Sequence, residues 1–166
     1  GSVKWAGFSA LIPKGVDATT LKAGYGQHVK HKLVDISKNG IIVNTGDMKV
    51  LFPRHGNSFM DYIIYKGIKV ADMGRVVAST SLSSYKSVID TSYIENSGDV
   101  RAVVRVNGHM IGDKESNMTL PFTLRFYLYY GSEQIRIQHS FVYDGNQNND
   151  CIKSLGLQFD VPFRET

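Results

Sequence analysis

The chain has 166 residues, a length suited to one hydrophobic core, and its 42% hydrophobic and 11% aromatic fractions are those of a globular protein. The formal net charge of +4 mildly favours polyanionic partners, and acidic glycans, nucleic acid and phosphate-rich surfaces all stay open. Cys151 is the only cysteine, which excludes an intramolecular disulfide, a cysteine-based zinc site and a CxxC redox pair.

Residues 1–99 predict short strands joined by tight turns. No window of about eleven residues holds apolar side chains at helical spacing without an interruption by Gly, Pro or β-branched residues, so no substantial helix is expected. Turn residues at positions 44–47 and at Lys66-Gly67 indicate two local hairpins. Strands are predicted over residues 3–12, 28–36, 41–43, 48–52, 59–65, 68–71, 75–80 and 87–95.

The C-terminal third predicts four longer strands, because apolar side chains there recur with the period of two that a half-buried strand requires. These strands cover residues 100–106, 122–130, 135–143 and 155–161. Their predicted core side consists of Val100, Ala102, Val104, Val106, Phe122, Leu124, Phe126, Leu128, Tyr130, Ile135, Ile137, His139, Phe141, Tyr143, Leu155, Leu157, Phe159 and Val161. We expect a meander of at least four strands here. For the whole chain we expect an all-β fold, an antiparallel β-sandwich of about ten strands.

The opposite side of these four strands interleaves arginine and tyrosine. A planar guanidinium clamps a carboxylate through two parallel hydrogen bonds, and a tyrosine ring stacks on the apolar face of a sugar. Arginine and tyrosine are also ordinary on a solvated sheet face, and that alternative stays open. The side comprises Arg101, Arg105, Asn107, Arg125, Tyr127, Tyr129, Arg136, Gln138, Gln158 and Asp160. The candidate glycan-binding residues are Arg101, Arg105, Arg125, Tyr127, Tyr129, Arg136 and Gln138.

Residues 144–150 place oxygen-bearing side chains at alternate positions, as the start of a calcium loop does. The glycine expected at the sixth position of such a loop is Asn149, and the glutamate expected at the twelfth is Leu155. We therefore predict a polar turn, with calcium as the weaker alternative and no other cofactor. The candidate metal ligands are Asp144, Asn146, Asn148 and Asp150.

The positions of the histidines in the sequence indicate neither a pair of metal ligands nor a set of catalytic residues. His28 and His31 are three residues apart, which on a strand sends their side chains to opposite faces. His139 falls on the predicted core side, where a hydrogen-bonded histidine is the ordinary finding, and His55 lies in a loop that we expect to be accessible. No GxSxG elbow, P-loop or dinucleotide-binding glycine pattern occurs, so no catalytic residue is assigned.

Several segments together are similar to a known domain family: YIENSGDVRAV at residues 93–103, LPFTLRFYLYYGSE at 120–133, IRI at 135–137, FVYDG at 141–145 and LGLQFDVP at 155–162. They resemble the central β-sandwich domain of exo-type rhamnogalacturonan lyases and their bacterial relatives, and the similarity covers residues 40–166. A looser similarity extends to the mutarotase-type supersandwich of carbohydrate-active enzymes. The resemblance implies a supersandwich-like domain beside a helical toroid that carries most of the catalytic machinery, and it favours secretion or a periplasmic location.

We therefore expect a non-catalytic module of a polysaccharide lyase-like protein, which supports the catalytic domain and contacts an acidic, pectic glycan. Three alternatives stay open. The first is a free-standing carbohydrate-binding module, and the second is a structural domain whose arginine and tyrosine side is buried against a neighbour. The third is an enzyme in its own right that uses Arg125 or Arg136 with Tyr127 or His55.

The expected partners are the acidic glycan and the neighbouring domains of a longer chain. We expect a single domain over residues 1–166, cut from a longer protein, because Gly1 and Ser2 resemble a cloning remnant. No membrane partner is expected, since no apolar run approaches the roughly 20 residues that cross a bilayer. A nucleic-acid partner is not expected either, since the basic excess is small and lacks a recognition helix or an aromatic signature.

Overall fold

The computed structural model describes residues 7, 9–12, 15, 31–114, 118–148 and 150–163. Within these ranges the chain has ten β-strands and no helix, and therefore no helix that could span a membrane. The predicted all-β class and the predicted number of strands are confirmed. The strands are β1 Val34–Ser37, β2 Gly40–Asn44, β3 Met48–Phe52, β4 Met60–Tyr65, β5 Ile68–Ser79, β6 Ser84–Ser97, β7 Arg101–Gly112, β8 Phe122–Tyr129, β9 Ile135–Phe141 and β10 Ser154–Asp160.

Strands β1 to β9 lie side by side in chain order, each antiparallel to the next, and β10 pairs antiparallel with β5. Six of the eight connections have two to five residues, and a turn of that length returns the chain beside the strand it has just left. The other two connections, residues 53–59 and 113–121, are longer. The two predicted hairpins are present and join β2 to β3 and β4 to β5. Residues 68–71 and 75–80, predicted as two strands, form one continuous strand that ends at Ser79.

The sheet branches at β5, and this branch creates the two layers. Asp72 pairs with both β4 and β10, and Ala78 pairs with both β6 and β10. Because a strand has two edges, β10 occupies one edge of β5, while β4 and β6 share the other. Strands β1 to β4 therefore form a first layer together with the start of β5, and β6 to β9 form a second layer.

The two layers face each other across one hydrophobic core. The ring centroid of Phe126 in β8 lies 4.9 Å from that of Phe52 in β3 and 5.4 Å from that of Phe59, the residue before β4. The turns at one end of the layers are joined as well, since the backbone N–H of Gly131 donates a hydrogen bond to the carbonyl oxygen of Thr45. The architecture is therefore the antiparallel sandwich that the sequence predicts.

The alternation predicted for the C-terminal third is clear in β7 and β8 and weakens in β9 and β10. Inward-facing side chains of β7 and β8 are at most 4% exposed, whereas those of β10 and most of those of β9 are half-buried. Phe141, Tyr143 and Val161 are exposed, contrary to the prediction. Each of them stands at or beyond the end of its strand, where the facing layer no longer covers it.

The predicted four-strand meander is wrong in its last member. β10 does not lie beside β9 but pairs with β5. Residues 142–153, which connect β9 with β10, exceed the length of a hairpin loop and carry the chain back to β5. The four consecutive strands of the second layer are β6, β7, β8 and β9.

The N-terminal predictions are only partly covered by the structure. Of the strand predicted over residues 28–36, residues 34–36 belong to β1, residues 31–33 form no strand, and residues 28–30 lie outside the described residues. Residues 9–12 form no strand, and most of the remaining residues of the predicted strand 3–12 lie outside the described residues.

Candidate functional site

The outward side of β7, β8 and β9 carries all seven candidate glycan-binding residues. Cross-strand pairing places Arg101 opposite Tyr129 and Arg105 opposite Arg125. It also places Tyr127 opposite Arg136, so that arginines and tyrosines are neighbours across three strands. We call this surface the arginine–tyrosine face, defined by Arg101, Arg105, Arg125, Tyr127, Tyr129, Arg136 and Gln138. The first five of these residues are half-buried, and the last two are exposed.

Strand β6 adds Glu95 to this face, a residue that sequence reasoning missed. The Arg125 guanidinium donates two hydrogen bonds to the Glu95 carboxylate, with Nε–Oε2 at 2.7 Å and Nη2–Oε1 at 3.1 Å. Arg105 Nη1 lies 3.9 Å from Oε1 of the same carboxylate. The hydrogen bond from Arg125 is the main reason that the pKa of Glu95 falls below its usual value. Glu95 therefore remains ionised and partly neutralises two of the four arginines.

The sequence did contain a signal for Glu95. Tyr93 and Glu95 alternate at the end of a predicted strand that directly precedes β7 in the chain, and consecutive strands usually pair. Tyr93 pairs with Arg105, whose guanidinium carbon lies 5.7 Å from the Tyr93 ring centroid. A bulge between Ile94 and Asn96 then leaves Glu95 as the extra residue of the strand.

Arg101 and Arg136 have no carboxylate within ion-pair distance among the residues that the structure describes. The Nε atom of Arg101 is buried and has no hydrogen-bond partner there. Arg136 lies over the ring of Tyr127, with its guanidinium carbon 5.3 Å from the centroid, and the Tyr127 hydroxyl donates a hydrogen bond to Gln138 Oε1 at 3.2 Å. These two arginines are therefore the cations of the face without a carboxylate partner among the described residues.

A cavity of about 350 Å³ opens at the Arg105 end of the face. Asn107 forms part of its wall, and its Oδ1 atom accepts hydrogen bonds from Arg105 Nε and from Thr123 Oγ1, both at 3.0 Å. Asp90 lines the same cavity and holds His109, with Oδ1 and Nδ1 2.9 Å apart. Sequence reasoning missed His109, because the predicted strand ended at residue 106 and left this side chain in a loop.

Gln158 and Asp160 were predicted to share this side of the sheet, and that prediction is wrong. Both belong to β10, which pairs with β5 and not with β9. Asp160 forms an ion pair with Arg75 of β5, with Oδ1 and Nη2 2.6 Å apart.

The candidate calcium loop uses its oxygens as internal hydrogen-bond acceptors. The Asp144 carboxylate accepts the backbone N–H groups of Thr119 and Leu120 as well as the Thr119 hydroxyl. Burial raises the pKa of Asp144, but these hydrogen bonds outweigh it and leave that pKa below its usual value.

The other three candidate metal ligands belong to the same turn. Asp150 Oδ2 accepts the backbone N–H of Asn146 at 2.8 Å, and Asn146 Oδ1 accepts that of Asn148 at 2.9 Å. No group of three or more His, Cys, Asp or Glu side chains suited to a metal ion occurs within the described ranges. The geometry is that of a hydrogen-bonded polar turn, and calcium binding stays a prediction.

The histidines singled out from the sequence do not form a common site. His139 lies inward on β9 and its Nε2 atom is buried without a hydrogen-bond partner among the described residues, while burial lowers the pKa of its imidazole. The His31 ring stacks on Tyr130 with centroids 3.5 Å apart, and His28 lies outside the described residues. His55 is exposed, as expected, and its Nδ1 atom is 2.5 Å from the carbonyl oxygen of Asp90.

Comparison with known proteins gives a family and a relative. Residues 33–166 match the family described as "PcRGLX-like protein central beta sandwich domain", a range that includes all ten strands. The chain is 27% identical over 175 residues to "Uncharacterized protein YetA" of Bacillus subtilis (strain 168). That alignment covers 97% of the chain and 20% of the relative, so the chain spans about a fifth of the relative's length. The family match confirms the resemblance seen in the sequence.

Proposed function

Since the chain belongs to the family of PcRGLX-like central β-sandwich domains, we propose that it is a non-catalytic module of a polysaccharide lyase-like protein. In this proposal the module supports the catalytic part of a longer chain and contacts an acidic, pectic glycan through the arginine–tyrosine face. The word "central" in the family description and the fivefold greater length of the relative both support a module with neighbouring domains.

The observation that carries the glycan contact is the arrangement of the two arginines without carboxylate partners. Arg101 lies opposite Tyr129 and Arg136 lies opposite Tyr127, so each cation stands beside an aromatic ring. Two strand spacings and a two-residue offset separate the Cα atoms of the arginines by about 12 Å. A chain of acidic sugars supplies carboxylates for both guanidinium groups and apolar ring faces for both tyrosines.

The charge of the face favours a hydrated polyanion over a dry domain interface. Its four arginines and Glu95 leave an excess of three positive charges on this surface. Burying a guanidinium without a partner costs several kcal/mol, on the order of 3–5 for a broken buried pair. A neighbouring domain would have to bring matching carboxylates to avoid this cost, whereas an acidic glycan carries them in its repeat.

Catalysis is assigned to the remainder of the longer protein. Elimination at a uronate needs a base at the proton to be removed and a cation at the neighbouring carboxylate. Within the described part of the chain, no contact joins His55 to Arg125, Arg136 or Tyr127, and His55 lies instead against the backbone of Asp90. We therefore expect the chain to release no unsaturated uronate from pectic glycans.

Calorimetric titration with homogalacturonan and rhamnogalacturonan oligosaccharides tests the proposal. We expect saturable heat with an acidic glycan and at least tenfold weaker binding of a neutral one. In the double variant Arg101→Ala, Arg136→Ala we expect the affinity to fall about 100-fold, since each charge-assisted hydrogen bond contributes about 1.5 kcal/mol or more, a factor of about ten.

The matched control is the double variant Lys38→Ala, Lys49→Ala, which removes two positive charges from exposed positions in the first layer. It should bind as the unmodified chain does, apart from a small loss of long-range attraction. Equal affinity in both double variants, or the absence of heat from a folded chain, would contradict glycan binding at this face. Ultraviolet absorbance of an unsaturated product would contradict the non-catalytic assignment.

A further inference from the structure

An opening lies at the branch of the sheet, where β5 and β6 separate. The two strands pair only at residues 77–79 and 84–86, and beyond this point β6 enters the second layer. Ser87 Oγ accepts a hydrogen bond from the backbone N–H of Val76 at 3.1 Å and donates one to the carbonyl oxygen of Asn57 at 3.3 Å. These two bonds connect β6 with β5 and with residue 57 beyond the last backbone pair of β5 and β6. The cavity there measures about 580 Å³. Small-molecule sites usually measure about 300–1,000 Å³.

The walls of this opening, which we call the β5–β6 crevice, combine apolar and neutral polar side chains with two cations, Arg75 and Lys86, and one carboxylate, Asp113. Its apolar surface comes from Met73, Val88 and Ile111. Asn57 and Ser84 supply an amide and a hydroxyl that donate and accept hydrogen bonds. This combination suits a ligand with an apolar ring face and hydroxyl substituents at its rim.

Lys86 is the cation of the crevice that remains available. Arg75 already pairs with Asp160 at 2.6 Å. The Asp113 carboxylate accepts hydrogen bonds from Ser83 Oγ at 2.9 Å and from the backbone N–H of Ser84 at 3.0 Å. Lys86, by contrast, is exposed and has no carboxylate within ion-pair distance in the part of the chain that the structure describes.

Met73 has an unusual backbone conformation. Its φ of 48° lies in the left-handed region, which non-glycine residues seldom occupy, and its side chain is 39% exposed. The pairing of β5 with β10 shifts register beside this residue. A strained residue that lines a cavity and leaves its apolar side chain in solvent is typical of a surface retained for binding.

We propose that the β5–β6 crevice binds one acidic sugar unit. The carboxylate lies at Lys86, the apolar ring face lies against Met73, Val88 and Ile111, and the ring hydroxyls bond to Asn57 and Ser84. This site is separate from the arginine–tyrosine face, and it rests on the proposed function only in taking a sugar as the class of ligand.

Methionine methyl NMR tests this site directly. The chain has five methionines, of which Met73 lines the crevice while Met48, Met60, Met110 and Met118 are at most 3% exposed. Titration with galacturonic acid should move the Met73 methyl signal saturably and leave the four buried methyl groups in place as internal references. Galactose, which lacks the carboxylate, should need about a tenfold higher concentration for the same shift.

Variants separate this site from the proposed function. Lys86→Ala should raise the midpoint of the Met73 shift about tenfold, whereas Lys49→Ala and the Arg101→Ala, Arg136→Ala double variant should leave it unchanged. A stationary Met73 signal, or equal midpoints for the Lys86 variant and the unmodified chain, would overturn the crevice site. Oligosaccharide heat that depends on Arg101 and Arg136 would persist in that case, so failure here is distinct from failure at the arginine–tyrosine face.

Discussion

Replacing Gly40 with alanine is expected to leave little folded protein. Gly40 has a φ of 143°, and an added Cβ would stand 2.1 Å from the carbonyl oxygen of Phe52 and 2.9 Å from the Cα of Pro53. Both are backbone atoms, one in the last residue of β3 and one in the residue that follows it, so the clash is relieved only by separating β2 from β3. We expect a loss of about 4 kcal/mol or more, which approaches the whole stability of a domain of this size. The soluble yield and the denaturant midpoint measure it.

Gly46→Ala is the matched control, since it lies at the other end of β2 and also has a positive φ, of 111°. No heavy atom lies within 4 Å of the position of its added Cβ. An alanine at this position should therefore lower the stability of the fold only through its left-handed backbone conformation, by about 1–2 kcal/mol. Equal stability of the two variants would show that β2 and β3 do not pair in the register described.

Phe126→Ala is expected to cost about 3–5 kcal/mol, because a large buried side chain is removed and the surrounding core closes only in part. Phe126 is 0% exposed and contacts Phe52 and Phe59 across the two layers. The loss should appear as a lower denaturant midpoint with an unchanged slope, the signature of a stability change without a change in the surface exposed on unfolding.

The comparison for this variant is Phe141→Ala, the same substitution on the neighbouring strand β9. Phe141 is 46% exposed, so its truncation should cost about 1 kcal/mol or less. If the two substitutions had the same small effect, Phe126 would not lie between two packed layers, and the sandwich would be wrong.

Most of the strands could be predicted because the residues that specify a strand and its turns are close together in the sequence. Residues with a period of two, separated by turn residues, specify where strands run and which side is apolar, as in residues 122–129. The partner of β10 was not predictable, since Leu155, Leu157 and Phe159 alternate in the same way whether the strand pairs with β9 or with β5. The branch at β5 likewise depends on pairings between distant segments.

The common side of the seven candidate glycan-binding residues was predictable, but Glu95, the position of β10 and the electrostatics of the face were not. Alternation alone assigned Arg101, Arg125 and Arg136 to one side of the sheet, and the structure places them there. The structure shows that the Glu95 carboxylate on β6 accepts two hydrogen bonds from the Arg125 guanidinium. Arg101 and Arg136, which have no carboxylate partner among the described residues, are therefore the arginines to vary in binding experiments. The β5–β6 crevice had no sequence signal, because its walls come from four separate segments.

The most direct test of glycan contact is amide NMR of the intact chain during titration with an acidic pectic oligosaccharide. Besides the shifts that the crevice site predicts around Met73 and Lys86, we expect saturable shifts on residues 101–107, 123–129 and 136–138, the segments that carry the arginine–tyrosine face. The shifts on these three segments should vanish in the Arg101→Ala, Arg136→Ala variant, while its spectrum stays dispersed. An unaltered spectrum, or shifts confined to the first layer, would contradict a glycan contact at this face.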